Sequence, residues 1–295
     1  MKFEKPALTV PEMIDYLTNR GMIISDEKFA TSSLRKINYY RLSTYWYPHK
    51  IETDNGQYKF EKDLTIEKII YLHDFDGELR RLVATGIEVI EIALRRSIAT
   101  HLALSLGPFA HQDGSNFKDY KIWSDSIQKL LIEYQSSKEE FASHFKSKYS
   151  EEVFPPIWVS LELTTFGTLS HLFSNIKDNR IRNSIAHDFG LDELVFKSFV
   201  HHLAYVRNLC AHHARLWNRK FVITPKLPKK IPGSYLSQFN SNRIGRKQIF
   251  NTLLVMDYII TKIESNFDFM AAVEDLISRY QDVNTMYMGK LQQLD

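Results

Sequence analysis

Only one cysteine, Cys210, occurs in 295 residues. That excludes an internal disulfide framework and any cysteine-built zinc site, and it fits a reducing compartment. No apolar run reaches membrane-spanning length, and the N-terminal MKFEKPALTVPEM lacks the apolar centre of a signal peptide. A cytoplasmic protein is therefore expected. Glycine loops that cradle phosphate, CxxC pairs, internal repeats and low-complexity tracts are also missing. The most informative absence is of carboxylate. The 63 residues from Leu194 to Met256 contain no Asp or Glu but eleven basic side chains: Lys197, Arg207, Arg215, Arg219, Lys220, Lys226, Lys229, Lys230, Arg243, Arg246 and Lys247. Elsewhere 27 basic side chains face 35 acidic ones, so the net charge of +3 conceals a division. Such asymmetry is an electrostatic footprint for a polyanion. Apolar content of 44% and charged content of 25% are ordinary for a globular chain of this length.

Within the carboxylate-free interval lies YVRNLCAHHARLWNR, residues 205–219. Read as a helix throughout, it places Phe199, Leu203, Val206, Cys210 and Trp217 on a core stripe. His201, Tyr205, Asn208, His212, Arg215 and Arg219 take the opposite side. Arg207 and His212 flank Asn208, so guanidinium, amide and imidazole converge. An imidazole passes protons near neutral pH, a guanidinium holds a phosphate and neutralises charge developing on it, and an amide orients either. Those groups suit metal-independent cleavage of RNA by its own 2′-OH. The alternative is a surface helix that is merely basic. Arg-x-x-x-x-His also occurs at Arg96–His101 and Arg182–His187, where with 15 Arg and 11 His about half a match is expected by chance. Surroundings distinguish the third match: no basic or polar stripe continues around Arg182 and His187, which read as structural or incidental.

VRNLCAHHARLWNR resembles the signature of the bacterial Abi abortive-infection proteins, the Abi-D and Abi-F-like group. Three further blocks agree in order: KINYYRLSTYWYP at 36–48, FDGELRRLVATGIEVIEIALRRSIATHLALSLGPF at 75–109, and PIWVSLELTTFGTLSHLF at 156–173. Gly77 departs from the charged residue expected after Phe75-Asp76. The resemblance implies a HEPN-superfamily ribonuclease acting in defence against phage, with Arg207, Asn208 and His212 as the catalytic set. It implies a homodimer that completes the site with a second motif, no cofactor or metal, and a conceivable bound non-coding RNA.

The expected fold is all-α, a HEPN-like helical bundle over 63–285 with a small N-terminal helical appendage over 1–62 and a tail over 286–295. Thr9 and Glu12 make a capping box, with Pro11 in the first turn, for a helix to about Asn19. Ser25 or Asp26 caps a second helix. The aromatic block Tyr39, Tyr40, Tyr45, Trp46 and Tyr47, with Lys36 and Arg41, can stack bases, but helical spacing favours core. Asp54-Asn55-Gly56 marks a turn, the tip of a short β-hairpin near 51–60. A long helix over 65–106 is predicted to kink near Asp76-Gly77. Glu91 and Arg95 read as helix support, with a weaker role behind the site. Helices follow at 117–135, 138–149, 157–176, 245–265 and 268–280. The Pro- and Lys-rich loop after Arg219 is expected to guide RNA beside the site. Tentative RNA contacts are His213, Arg215, Arg219, Lys220, Lys226, Lys229, Lys230, Arg243, Arg246 and Lys247.

Two rival functions remain: a non-catalytic RNA-binding protein, and a metallohydrolase using His201, His202, His212 and His213. The second is weak, since about 16 Å of helix separates the histidine pairs and carboxylate ligands are lacking nearby.

Overall fold

Short polar side chains start most of the helices. Asp26, Asn38, Asp119, Thr165, Asp178, Asp192 and Asp268 each accept a backbone N–H from the first turn that follows. Glu12 reaches back to the N–H and the hydroxyl of Thr9, both at 2.7 Å. Each such contact answers a donor that the helix start leaves open, and losing one typically costs about 1 kcal/mol. The computed structural model describes residues 6–54, 56–263 and 266–291. Among them are thirteen α-helices and one two-stranded hairpin, an all-α architecture as expected.

Contacts divide the chain into units of residues 1–79 and 80–295, with the boundary inside one helix. The first unit holds α1 (Val10–Thr18), α2 (Glu27–Lys36), α3 (Tyr39–Trp46) and the start of α4 (Ile66–Leu106). Strands β1 (Lys50–Glu52) and β2 (Tyr58–Phe60) pair antiparallel, with Lys50 opposite Phe60. This is the hairpin expected near 51–60; Asn55, at its expected tip, lies outside the described residues. The aromatic block divides. Tyr45 and Trp46 are buried with Leu17, Leu42 and Ile69, and the Tyr45 hydroxyl donates to buried Asp76 at 2.7 Å. Tyr40 and Tyr47 stay exposed. Helix α4 runs unbroken through Asp76 and Gly77, where the kink was expected. Burial of the apolar Phe75 and Leu79 side chains outweighs the roughly 1 kcal/mol that a helical glycine costs.

The second unit continues α4 and adds α5 (Tyr120–Ser136), α6 (Glu140–Lys148), α7 (Ile157–Ser160), α8 (Phe166–Asn175), α9 (Asn179–Asp188), α10 (Glu193–Ala211), α11 (Gly233–Leu236), α12 (Ile249–Lys262) and α13 (Phe269–Arg279). Helix α10 packs on α8 and α9, α5 on α8, and α12 on α13. Phe196 of α10 meets Phe173 of α8 at 5.4 Å and stacks on Phe189 at 4.4 Å between ring centroids. Gly86 of α4 faces Met256 and Phe269, and a Cβ there would lie 2.7 Å from both side chains. The close approach explains a glycine in mid-helix.

Two helix expectations are corrected. The segment 157–176 is not one helix, because Thr164 is extended and Thr165 caps a new start, its hydroxyl accepting the Thr168 N–H at 3.3 Å. The Arg95 guanidinium takes the Leu161 and Glu162 carbonyls at 2.6 and 2.8 Å, holding the broken turn in place. The helix expected over 245–265 begins at Ile249 after a 3₁₀ turn at Gly245–Lys247; residues 264 and 265 lie outside the described residues. Among the described residues, no helix is long and apolar enough to cross a membrane.

Candidate active site

Helix α10 carries Arg207 and Asn208 on its last turn, and His212 is the residue that caps its end. Its core face follows the expected stripe: Phe199, Leu203, Val206 and Cys210 are buried. The continuation of the helix to Arg219 is overturned, because α10 stops at Ala211. The stop is a Schellman turn. The Ala214 N–H reaches the Leu209 carbonyl at 2.8 Å and the His213 N–H reaches Cys210 at 3.0 Å, with His213 left-handed at φ 54°. Glycine usually occupies that position, and a side chain there costs roughly 1–2 kcal/mol. Trp217 is buried as predicted, but from the turn rather than from a helix face.

Residues beyond the helix are fixed from afar. The Trp217 ring meets Tyr287 at 5.1 Å, and the Tyr287 carbonyl accepts the Asn218 N–H at 3.0 Å and the Gln248 amide at 2.7 Å. Met288 is fully buried, and the Asn240 amide donates to the Gly289 carbonyl at 2.9 Å. Within 286–291, expected to open a separate tail, Tyr287–Gly289 thus buttress the turn after α10; 292–295 lie outside the described residues. Nothing local in the sequence signals this support.

Arg207, Asn208 and His212 are all exposed. Among the described residues, none of these three side chains has a hydrogen-bond or ion-pair partner. The other two Arg-x-x-x-x-His pairs are occupied or split. Arg96 and His101 both turn to Asp188, at 3.8 and 3.1 Å, and Ser97 donates to the same carboxylate at 2.7 Å. Arg182 is buried, bonded to Glu193 at 2.7 Å and to the carbonyls of Ile176 and Lys177, whereas His187 is exposed. Arg95 is bound to Glu91 as well as to the 161–162 carbonyls, so that pair braces α4.

The tentative RNA contacts fall into three places. His213, Arg215, Arg219 and Lys220 surround the turn, and the Arg219 guanidinium reaches the Arg215 carbonyl at 3.4 Å. Lys247 joins them through the backbone, its carbonyl accepting the Phe221 N–H at 2.8 Å, with exposed Arg243 and Arg246 alongside in sequence. The loop after Phe221 instead doubles back along α10. Ile223 is tied to His202, and the Lys226 N–H donates to the Ser198 hydroxyl at 2.9 Å. Fourteen residues of helix, about 21 Å, separate Ser198 from His212, so Lys226 lies against the flank of α10 rather than beside His212, and exposed Lys229 and Lys230 follow it in sequence. The carbonyl end of α10 contributes roughly half a negative charge. Three guanidiniums, of Arg207, Arg215 and Arg219, outweigh it.

His202, named above only in the four-histidine metal set, is a core residue. It is fully buried, with Nδ1 at 2.7 Å from the Ile223 carbonyl and Nε2 at 2.8 Å from the Thr252 hydroxyl. A carbonyl only accepts, so Nδ1 carries the proton and Nε2 takes the Thr252 hydroxyl hydrogen. Burial pushes its pKa down to about 4, the Ile223 bond raising it slightly and neighbouring His201 lowering it. Both ring nitrogens are committed, so His202 cannot serve in the four-histidine metal set. Adjacent His201, exposed at the same turn, left no pattern to tell the two apart.

A family model described as Abi-like protein matches residues 32–218, which run from α2 through α10 to the turn at Asn218. Comparison with curated proteins and with solved structures gave no match. The chain belongs to the Abi-like protein family.

Proposed function

We propose that this chain is a metal-independent endoribonuclease of HEPN type, acting in abortive-infection defence, the role that its family membership suggests. The observation carrying the reading is the idle trio at the end of α10: Arg207, Asn208 and the capping His212, exposed and unengaged beside two further guanidiniums. The RNA 2′-OH attacks the adjacent phosphorus, the bond from phosphorus to the 5′-oxygen breaks, and a 2′,3′-cyclic phosphate forms. One imidazole removes the 2′-proton and another protonates the leaving oxygen, so two His212 side chains from a homodimer serve as base and acid. Arg207 neutralises the charge growing on the phosphate, and Asn208 orients the pair. Joining the same surface of two chains about a two-fold axis is the simplest way to bring both copies together.

A second reading has one observation in its favour. In a single chain the trio faces solvent with nothing to exclude water, which suits an RNA-binding protein without catalysis. Incubation with labelled RNA in EDTA separates the two. The enzyme produces cyclic-phosphate ends, leaves 2′-O-methyl RNA intact and is silenced by His212→Ala. Cleavage of methylated RNA, or cleavage that needs added metal, would overturn the mechanism. RNA binding without cleavage by the dimer supports the binder.

A further inference from the structure

The first unit carries a continuous belt of rings and cations. Exposed Tyr40 meets Tyr39 edge-on at 5.7 Å, and Tyr39 meets Tyr16 at 6.3 Å. The Arg20 guanidinium lies 4.6 Å from the Tyr16 ring and 4.2 Å from the Tyr58 ring, held there by a 2.8 Å bond to the Tyr58 carbonyl. The Lys50 ammonium lies 3.8 Å from the Tyr58 ring and 5.3 Å from that of Tyr47. The belt therefore starts and ends on open rings, Tyr40 at 69% and Tyr47 at 71% exposure. Tyr40 in α3 and Tyr47, which caps its end in helical conformation, fall on one side, because seven helical residues fall within about 20° of two full turns.

Isolated exposed tyrosines need no explanation. Here, however, the charge is one-sided. No Asp or Glu occurs from Lys28 to Ile51, while Lys28, Arg35, Lys36, Arg41 and Lys50 do. Among the described residues, neither Arg20 nor Lys50 has a carboxylate partner. Burial pushes the Lys50 ammonium below its ordinary value, and the Arg20 charge adds to that, although Tyr16 opposes it. Two cations sharing the Tyr58 ring, neither paired with a carboxylate even though Glu52 stands opposite Tyr58 in the hairpin, leave room for an external anion. Open rings at both ends of the belt suit flat, uncharged bases.

We propose that this belt is a platform for single-stranded RNA, with bases stacked on Tyr40 and Tyr47 and phosphates held by Lys50 and Arg20. The inference rests on the chain acting on RNA, as proposed above, and adds that unpaired RNA is selected in the first unit, by residues other than those proposed to cut. Stacking tolerates any base, so the platform reads strandedness rather than sequence.

The test is equilibrium binding by the full chain at one salt concentration. The probes are a 2′-O-methyl oligouridylate, an abasic oligomer with as many phosphates, and an RNA duplex. Tyr40→Ala and Tyr47→Ala should each weaken oligouridylate binding by roughly 5- to 150-fold, the usual span for one stacked base. Tyr→Phe at both positions should retain it, and the abasic oligomer should not respond to either change. Equal losses on both oligomers, no loss with alanine, a phenylalanine defect as large as alanine's, or a preference for duplex would each overturn the platform. Polyglutamate displacing the probe as well as oligouridylate would mark a site for acidic protein instead. Cleavage is scored separately: cutting without any tyrosine dependence removes the platform alone, and tyrosine-dependent binding without cutting removes the ribonuclease alone.

Discussion

The two ends of α10 treat the same residue types in opposite ways. At its start, Asp192 caps Val195 at 3.0 Å, and Glu193 is bound to the Arg182 Nε, while Arg182 Nη1 donates to the Ile176 and Lys177 carbonyls just past α8. Backbone and side chains are both answered. At its finish the Schellman turn answers the backbone, but Arg207, Asn208 and His212 are left idle. A buried, fully bonded guanidinium explains its own presence through the fold. Exposed side chains without partners add little stability, so the fold does not explain their identities. Matching Arg-x-x-x-x-His in sequence cannot separate these cases, because the spacing says nothing of what the guanidinium meets.

Substitutions at the two ends should therefore have opposite signatures. His212→Ala should lower RNA cleavage by about 10²–10⁴-fold while denaturant midpoints move by no more than about 0.5 kcal/mol. A large stability loss would make His212 structural and dissolve the contrast. Arg182→Ala should do the reverse. Stranding Glu193 and two carbonyls should cost about 3–5 kcal/mol in urea unfolding, and the protein still folded should cut RNA at the wild-type rate.

The middle of α10 adds a pH test. His202 has a folded pKa of about 4 against an ordinary 6.5, so between those values the unfolded chain holds a proton that the folded chain refuses. Its contribution is complete above about pH 6.5 and is lost as pH falls towards 4, on the order of 3 kcal/mol in all. His111, buried and likewise lowered to about 4, acts in the same window. Urea titrations at pH 7 and pH 4.5 should show a smaller pH-dependent loss for His202→Gln than for wild type. An unchanged difference would assign the acid sensitivity to other groups. The smallest effect expected is at His213. Replacement by glycine removes the left-handed strain and should raise stability by about 1 kcal/mol, while RNA affinity falls if the imidazole contacts phosphate. A destabilised His213→Gly would mean that its side-chain contacts outweigh the strain.

Much of this arrangement was legible locally. Asp26 and Thr9 announced their helices, Gly107-Pro108 ended α4, and the apolar spacing from Phe199 to Cys210 marked the buried side of α10. Each depends on neighbours three or four residues apart, which periodicity reports directly. The end of α10 was not legible. Its turn uses histidine where glycine is the usual signal, and the apolar Leu216 and Trp217 prolong the helical pattern past the true stop. The tandem Thr164-Thr165 hid another break, because β-branched residues inside an apolar run read as continuous structure.

By itself, the sequence determined the helical class, the core side of α10, the carboxylate-free interval and the presence of Arg207, Asn208 and His212 within reach of one another. Those are matters of composition and short spacing. Tertiary structure alone decided which of three similar Arg–His pairs stayed unengaged, which of two adjacent histidines was buried, and that Asn284–Gly289 would hold the turn after the helix. The reason is common to all three: each depends on a partner dozens of residues away, and hydrogen-bond partners at that separation are chosen by packing, not by local propensity.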